Sequence, residues 1–423
     1  MNKQYSEIKE YRELPNGMRL FIHPSDVNHV VALHIILPFA SATETTQNAG
    51  LTAFALRMLR RGTQSKSALE FETALDDLGT ELGIATGKTT CAITLHCTDD
   101  AIAESFGLLR EMMTQPAYTT DEIERERRVT LAGLRKAEDN NMGKTMRMLC
   151  REMYPDSGFG LPVNGLEETV KALDGQSIIN RGAAVLRAPQ PIIVCIGNCD
   201  PEMVTQQCES LLVPEARQIT KIPTPPLPQK DINVSFERQC RQSIVVIGWR
   251  VCSRLAPDYP AMRLASAVLG ESMSSRLFLH LRDEQGLAYS TGTHVSAGKT
   301  HGEMLAHIAT NPITREHARN EMLREIELLR NEPVSQEELD RARNYVIGRM
   351  LISSQSNLSR AARMAAYINL GLGITGEQEY LQALRRVTPQ EVCDAAGKWL
   401  TTPVCAELIA LENGETATND KQQ

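Results

Sequence analysis

Two stretches of this chain carry the same charged pattern. They are Asp121-Glu122-Ile123-Glu124-Arg125-Glu126-Arg127-Arg128 and Glu337-Glu338-Leu339-Asp340-Arg341-Ala342-Arg343-Asn344, with Ile123 in register with Leu339. Each run opens a long helix behind a hydroxyl cap, Thr119 or Thr120 in the first and Ser335 in the second. What precedes each run repeats as well. An amphipathic helix is expected over 100–114 and again over 313–331, and before it a pair of strands, 81–86 with 90–97 and 288–295 with 302–309. A repeat of this length means two copies of one folding unit.

The boundary between the copies is compositional. Residues 219–230 place Pro223, Pro225, Pro226 and Pro228 in a short span that neither a helix nor a central strand tolerates, so the segment reads as an extended linker. The expected organisation is an N-terminal domain over 1–218, the linker, a C-terminal domain over 231–412 and a polar, disordered tail over 413–423. Each copy also opens with strands: 12–14 and 18–22 around the Pro15-Asn16-Gly17 turn, then 30–37; and 233–237 with 243–249. This order of elements predicts an α+β fold, an antiparallel sheet with helices packed on one face, made twice.

Residues 50–63 read Gly-Leu-Thr-Ala-Phe-Ala-Leu-Arg-Met-Leu-Arg-Arg-Gly-Thr. The stretch resembles the zinc-binding helix of the pitrilysin and mitochondrial processing-peptidase family of zinc metallopeptidases, Gly-x-x-His-x-x-Glu-His-Met-Leu-x-x-Gly-Thr. Gly50, Met58, Leu59, Gly62 and Thr63 keep the frame. Ala53 and Arg57 stand where the family has its two histidine ligands, and Leu56 where it has the glutamate that acts as general base. Downstream, 126–133 resembles the family's Glu-Arg-x-Val-x-Leu-x-Glu helix, with Gly133 in the place of the third ligand. A catalytic zinc needs three protein ligands and an open position. An alanine, an arginine and a glycine supply none, so no zinc is expected in this chain.

A second resemblance lies at 274–290, Ser-Ser-Arg-Leu-Phe-Leu-His-Leu-Arg-Asp-Glu-Gln-Gly-Leu-Ala-Tyr-Ser. It is similar to the family's Ser-Arg-Leu-Phe-x-x-Leu-Arg-x-x-x-Gly-Leu-Ala-Tyr-Ser. There the arginine and the tyrosine seven residues later reach substrate at another domain's zinc; Arg282 and Tyr289 match them. Arg282 is expected to end a helix, Gly286 to allow the turn and Tyr289 to open a strand. A permanently charged guanidinium and a phenol are suitable donors to the oxyanion that peptide hydrolysis creates. The resemblance spans about 10–410 and implies two half-shell domains that face a second chain across a chamber.

The remaining signals exclude alternatives. A net charge of −7 argues against nucleic acid as partner. Residues 1–10 carry no signal-peptide pattern and no apolar run is long enough for a membrane span, so the cytoplasm is the expected compartment. The ten cysteines, Cys195 and Cys199 included, read as reduced structural thiols, and His280 as a packing or surface residue. The resemblance therefore implies a non-catalytic subunit of a heterodimeric zinc metallopeptidase. Arg282 and Tyr289 would act in trans on a peptide held by a homologous, zinc-bearing partner, and the only cofactor would be that partner's zinc. Two other readings stay open at this point. One is a peptide-binding scaffold without hydrolytic role; the other is a subunit that hands a ribosomally made or cofactor-precursor peptide to a tailoring enzyme.

Overall fold

The computed structural model describes residues 10–15, 17–211, 222 and 224–411. Part of the proline-rich segment, the 413–423 tail and Asn16 of the first turn lie outside the described residues. The first half of the chain forms strands β1 (Glu10–Glu13), β2 (Arg19–Pro24), β3 (Val30–Leu37), β4 (Glu81–Thr86), β5 (Cys91–Thr98) and β6 (Ile192–Gly197). Its helices are α1 (Leu51–Arg57), α2 (Ala68–Asp77), α3 (Ile102–Thr114), α4 (Thr120–Asp139), α5 (Asn141–Met153), α6 (Glu167–Ala172), α7 (Gly175–Leu186) and α8 (Pro201–Glu209). The second half adds β7 (Ile232–Gln239), β8 (Ser243–Val251), β9 (Ser290–Ala297), β10 (Gly302–Thr310) and β11 (Val404–Leu411). With them come α9 (Tyr259–Gly270), α10 (Arg315–Asn331), α11 (Gln336–Ile352), α12 (Asn357–Leu370), α13 (Gly376–Arg386) and α14 (Pro389–Trp399).

Two sheets repeat one topology. The first runs β1-β2-β6-β3-β5-β4 and the second β7-β11-β8-β10-β9, so that β1 is an extra edge strand on an otherwise equivalent order. Both sheets are mixed, not wholly antiparallel as the strand order predicts. β6 pairs parallel with β2 (Arg19 opposite Ile192) and β11 parallel with β7 (Val404 opposite Ile232). In each copy the last strand returns after the whole helical excursion and inserts between strands made first. A parallel neighbour needs such a long crossover.

The repeated charged runs do the same work in both copies. Thr119 Oγ1 accepts the backbone N–H of Glu122, and Ser335 Oγ that of Glu338, as helix caps. Arg127 donates to the carbonyls of Val170 and Leu173 (2.7 Å to the latter) while pairing with Glu124. Arg343 donates to Leu384 (3.1 Å) and Val387 (2.7 Å) while pairing with Asp340. Each arginine thus satisfies orphan carbonyls at the end of one helix just before the next is capped, by Asp174 in the first copy and by the capping box of Thr388 in the second.

The chain divides into two compact units that are not continuous in sequence. Among the described residues, one comprises those within 10–138, 154–225 and 347–383; the other those within 139–153, 226–346 and 384–411. In the first, one sheet face, with Leu20, Leu33, Ile35 and Ile193, packs on a core completed by Phe71, Phe106, Leu109 and Met112. The opposite face, Phe21, Ile36, Ile192, Val194 and Ile196, is covered by Ala361, Ala365 and Ile368 of α12. In the second, α9, α10 and α14 pack together against the sheet, and α5 lies against β8 and β11. The fit over β8 is close: a Cβ on Gly248 would stand 2.5 Å from Met153 Sδ and 2.9 Å from Leu149 Cδ2. Helices therefore cover both faces of each sheet, where the sequence pattern predicts one. That is why β6 is buried at all six positions and β8 at all nine, without the alternation of a half-exposed strand.

Candidate functional site

The frame residues of the first motif hold α1 in place. Gly50 adopts φ +91°, and a Cβ there would meet Gly165 Cα at 2.6 Å and Asn164 O at 2.8 Å, so no side chain fits. The buried Glu44 carboxylate accepts the N–H groups of Gly50 (2.8 Å) and Thr52 (2.6 Å), satisfying orphan donors at the positive end of the helix. Met58 and Leu59 are fully buried, and Thr63 Oγ1 accepts the N–H of Lys66 at 3.1 Å. These residues are kept by backbone and packing demands that persist without the metal.

At the positions where the family has its chemistry, the residues pack or pair. Ala53 and Leu56 are buried, Leu56 within the main core of its unit. Arg57 donates from Nε to Glu126 Oε1 (2.7 Å), from Nη2 to Thr130 Oγ1 (3.1 Å) and from Nη1 to Asn164 Oδ1 (3.0 Å). Arg61 binds the other oxygen of the same carboxylate, with Nε at 2.9 Å and Nη2 at 2.5 Å from Oε2. The Glu126 side chain is only 3% exposed, and two guanidiniums neutralise it. Gly133 is exposed on α4 and a Cβ there would meet nothing within 4 Å, so packing does not require the missing carboxylate to be missing. These residues do not fit zinc. Among the described residues, no three His, Cys, Asp or Glu side chains stand together as a metal site. Glu126 is the member of this cluster that sequence reasoning missed. Its signal is weak: an acidic residue four before Thr130 within a run of charged residues.

The second motif folds as a helix, a turn and a strand, with one departure. The helix Leu277–Glu284 is π-wound over eight residues. Gly286 takes φ +64°, and the N–H of Leu287 closes the end on Leu281 O at 2.8 Å. That bond reaches six residues back, one more than the closure of an α-helix, as the wider winding demands. Arg282 is exposed, its Cζ 4.8 Å from the ring centroid of Phe278. Tyr289 precedes β9, its N–H bound to Ala309 O at 2.9 Å, and is 59% exposed. Among the described residues, neither the guanidinium of Arg282 nor the hydroxyl of Tyr289 has a hydrogen-bond partner. His280, on the same helix, binds the buried Glu325 through Nδ1 at 2.9 Å. It lines a cleft of roughly 320 Å³ with Arg276 and Glu338, which pair with each other at 2.7 Å.

Residues 20–165 match the family model described as Insulinase (Peptidase family M16), and 183–346 the one described as Peptidase M16 inactive domain. The chain belongs to peptidase family M16. A Rickettsia bellii protein named as an uncharacterized zinc protease is 23% identical over 384 residues, 90% of either chain. Two solved structures share the M16 fold at lower identity. The peptidase M16 inactive domain from Pseudomonas fluorescens superposes with a TM-score of 0.89 at 18% identity, covering 96% of this chain and 99% of that one. A protease from Helicobacter pylori gives 0.85 at 19%, covering 94% and 98%. This M16 chain thus keeps the family's fold and motif frame without its metal-binding residues. No helix among the described residues is long and apolar enough to cross a membrane.

Proposed function

We propose that this chain is the non-catalytic subunit of a two-chain M16 metallopeptidase. A homologous subunit with an intact zinc motif would hold the metal, and Arg282 and Tyr289 would act on the peptide bound there. The observation that carries this reading is a contrast within one chain. Arg57, at a vacated ligand position, is committed to a buried carboxylate, whereas Arg282 and Tyr289 are exposed with their donor groups uncommitted. The exposed guanidinium and phenol make no hydrogen bond within the described chain, so their donors are available to a group outside it. In the partner's site they would donate to the developing oxyanion or to neighbouring backbone carbonyls of the substrate.

The test is assembly with a zinc-bearing M16 homologue from the same genome. Co-expression should give a complex that survives size-exclusion chromatography, as an interface above roughly 1,000 Å² would permit. Zinc should follow the partner, and peptide hydrolysis should require both chains. Separate elution at micromolar concentration, or full activity of the partner alone, would refute the composite enzyme. A complex that binds peptide without cleaving it would favour the scaffold reading.

A further inference from the structure

Cys195 and Cys199 belong to no part of the site above, and their geometry differs from that of ordinary buried thiols. Cys195 is fully buried in β6, opposite Ile22 of β2 and Leu33 of β3. Cys199 is half-buried in the turn between β6 and α8, at the edge of the same core. Their sulfurs lie 3.9 Å apart.

The turn that brings them together is held from several sides. Gly197 adopts φ +144°, and a Cβ there would stand 2.2 Å from Val30 O, so the backbone has little freedom to rearrange. Asn198 Nδ2 donates to Asp99 Oδ2 at 2.5 Å. Asp200 caps α8 by accepting the N–H of Glu202 at 3.2 Å. Cys199 therefore sits between two anchored neighbours with its sulfur set against that of Cys195.

We propose that Cys195 and Cys199 form a redox-active dithiol that a hydroperoxide converts to an intrachain disulfide. Cys199 is the attacking sulfur. The contact with Cys195 favours its thiolate, and it is the member of the pair with access to solvent. Cys195 stays protonated, through that same contact and its burial. With hydrogen peroxide, the Cys199 thiolate takes one oxygen, breaking the O–O bond and releasing hydroxide, to give a sulfenic acid. The Cys195 sulfur then attacks the Cys199 sulfur. The S–S bond forms, the S–O bond breaks, and the departing oxygen leaves as water with the Cys195 proton. The hydroxide recovers the proton that Cys199 first lost, so one peroxide is consumed, two waters are released and the protein loses two hydrogens. The sulfurs must close to about 2.05 Å. The short ring adds less loop entropy than a longer one would; the bond's chemical consequence is to remove the solvent-accessible nucleophile.

The experiment is hydrogen peroxide treatment of the full-length chain, alkylation of remaining thiols, and mass mapping after cleavage before aspartate. Such cleavage leaves Cys195 and Cys199 on one fragment, 174–199, and separates them from Cys208 and Cys97. The expected result is this fragment intact, unalkylated and two hydrogens lighter. In Cys195→Ala, the Cys199 sulfenic acid has no resolving thiol, and its capture by dimedone should rise at least several-fold. A fragment alkylated at both cysteines after treatment, or a bond from Cys199 to Cys208 or Cys97, would overturn the proposal. The wild-type map decides even if the variant fails to fold.

Discussion

Arg57 Nε lies 2.7 Å from Glu126 Oε1, so the arginine at a vacated ligand position is tied to a carboxylate on α4 seven residues before Gly133. A carboxylate that is 3% exposed must be neutralised, and here two guanidiniums do so. This pairing also makes single reversions unfavourable. Arg57→His would strip Glu126 of one partner without creating a ligand set.

Removing Glu126 leaves two arginines facing each other without a counter-charge. Because their side chains retain 34% and 24% exposure, the loss should fall below that of a fully buried pair. Glu126→Ala is expected to cost about 2–3 kcal/mol in urea unfolding. Glu337→Ala, which breaks only the exposed pair with Arg341, should stay within about 0.5 kcal/mol. Equal effects from the two variants would show that the cluster at Glu126 has no special weight.

Gly133 sits inside α4 with open space around its Cα, so its glycine carries a helix-propensity penalty and no steric benefit. Gly133→Ala should stabilise the chain by about 0.5–1 kcal/mol, read as a higher denaturation midpoint at unchanged slope. A destabilised variant would reveal a packing role at 133.

The sheet face of Phe21, Ile36, Ile192, Val194 and Ile196 depends on Ala361, Ala365 and Ile368 for its cover. A fragment ending at residue 225 should therefore bind a hydrophobic dye and be digested by trypsin far faster than the whole chain. Adding α12 back as part of the chain, not the tail, should restore protection. In the intact protein, Ile368→Ala is expected to cost about 2–4 kcal/mol.

Burial lowers the pKa of His34 to about 4, and its Nδ1 is buried without a hydrogen-bond partner among the described residues. In the unfolded chain the imidazole binds its proton near pH 6.5. Between these values the unfolded state holds the extra proton, so stability falls as pH drops from about 6.5 toward 4, by of order 1 kcal/mol per unit. His34→Leu should flatten that part of the profile, measured as urea midpoints at pH 7 and pH 5. An unchanged slope would mean that other groups carry the acid sensitivity.

For Arg282 and Tyr289 the expectation separates stability from function. Both are exposed, so Tyr289→Phe and Arg282→Ala should leave unfolding within about 0.5 kcal/mol of the parent. In an assembled complex with the zinc-bearing partner, each should lower turnover by about 10²–10³. Arg282→Lys should rescue only in part, because an ammonium lacks the planar fork. Normal turnover by an assembled double variant would assign the chain a scaffold role.

The sequence by itself determined what depends on neighbours along the chain. The caps at Thr119 and Ser335, the strand over 30–37, the absence of ligands at Ala53, Arg57 and Gly133, and the duplication of the charged runs all follow from local composition and spacing. The tertiary structure alone decided which distant surfaces meet. Amphipathicity tells that α5 and α12 each own an apolar face, but not that α5, from the first half of the sequence, covers β8, or that α12, from the second, covers β6. The same holds for Glu126, whose partners Arg57 and Arg61 lie more than sixty residues away, at the end of α1 and just beyond it. It holds also for β6 and β11, whose parallel pairing spans a whole repeat. Hydrophobic burial and charge neutralisation are indifferent to sequence separation, so a local pattern can announce that a face or a charge needs a partner while only the folded chain supplies which one.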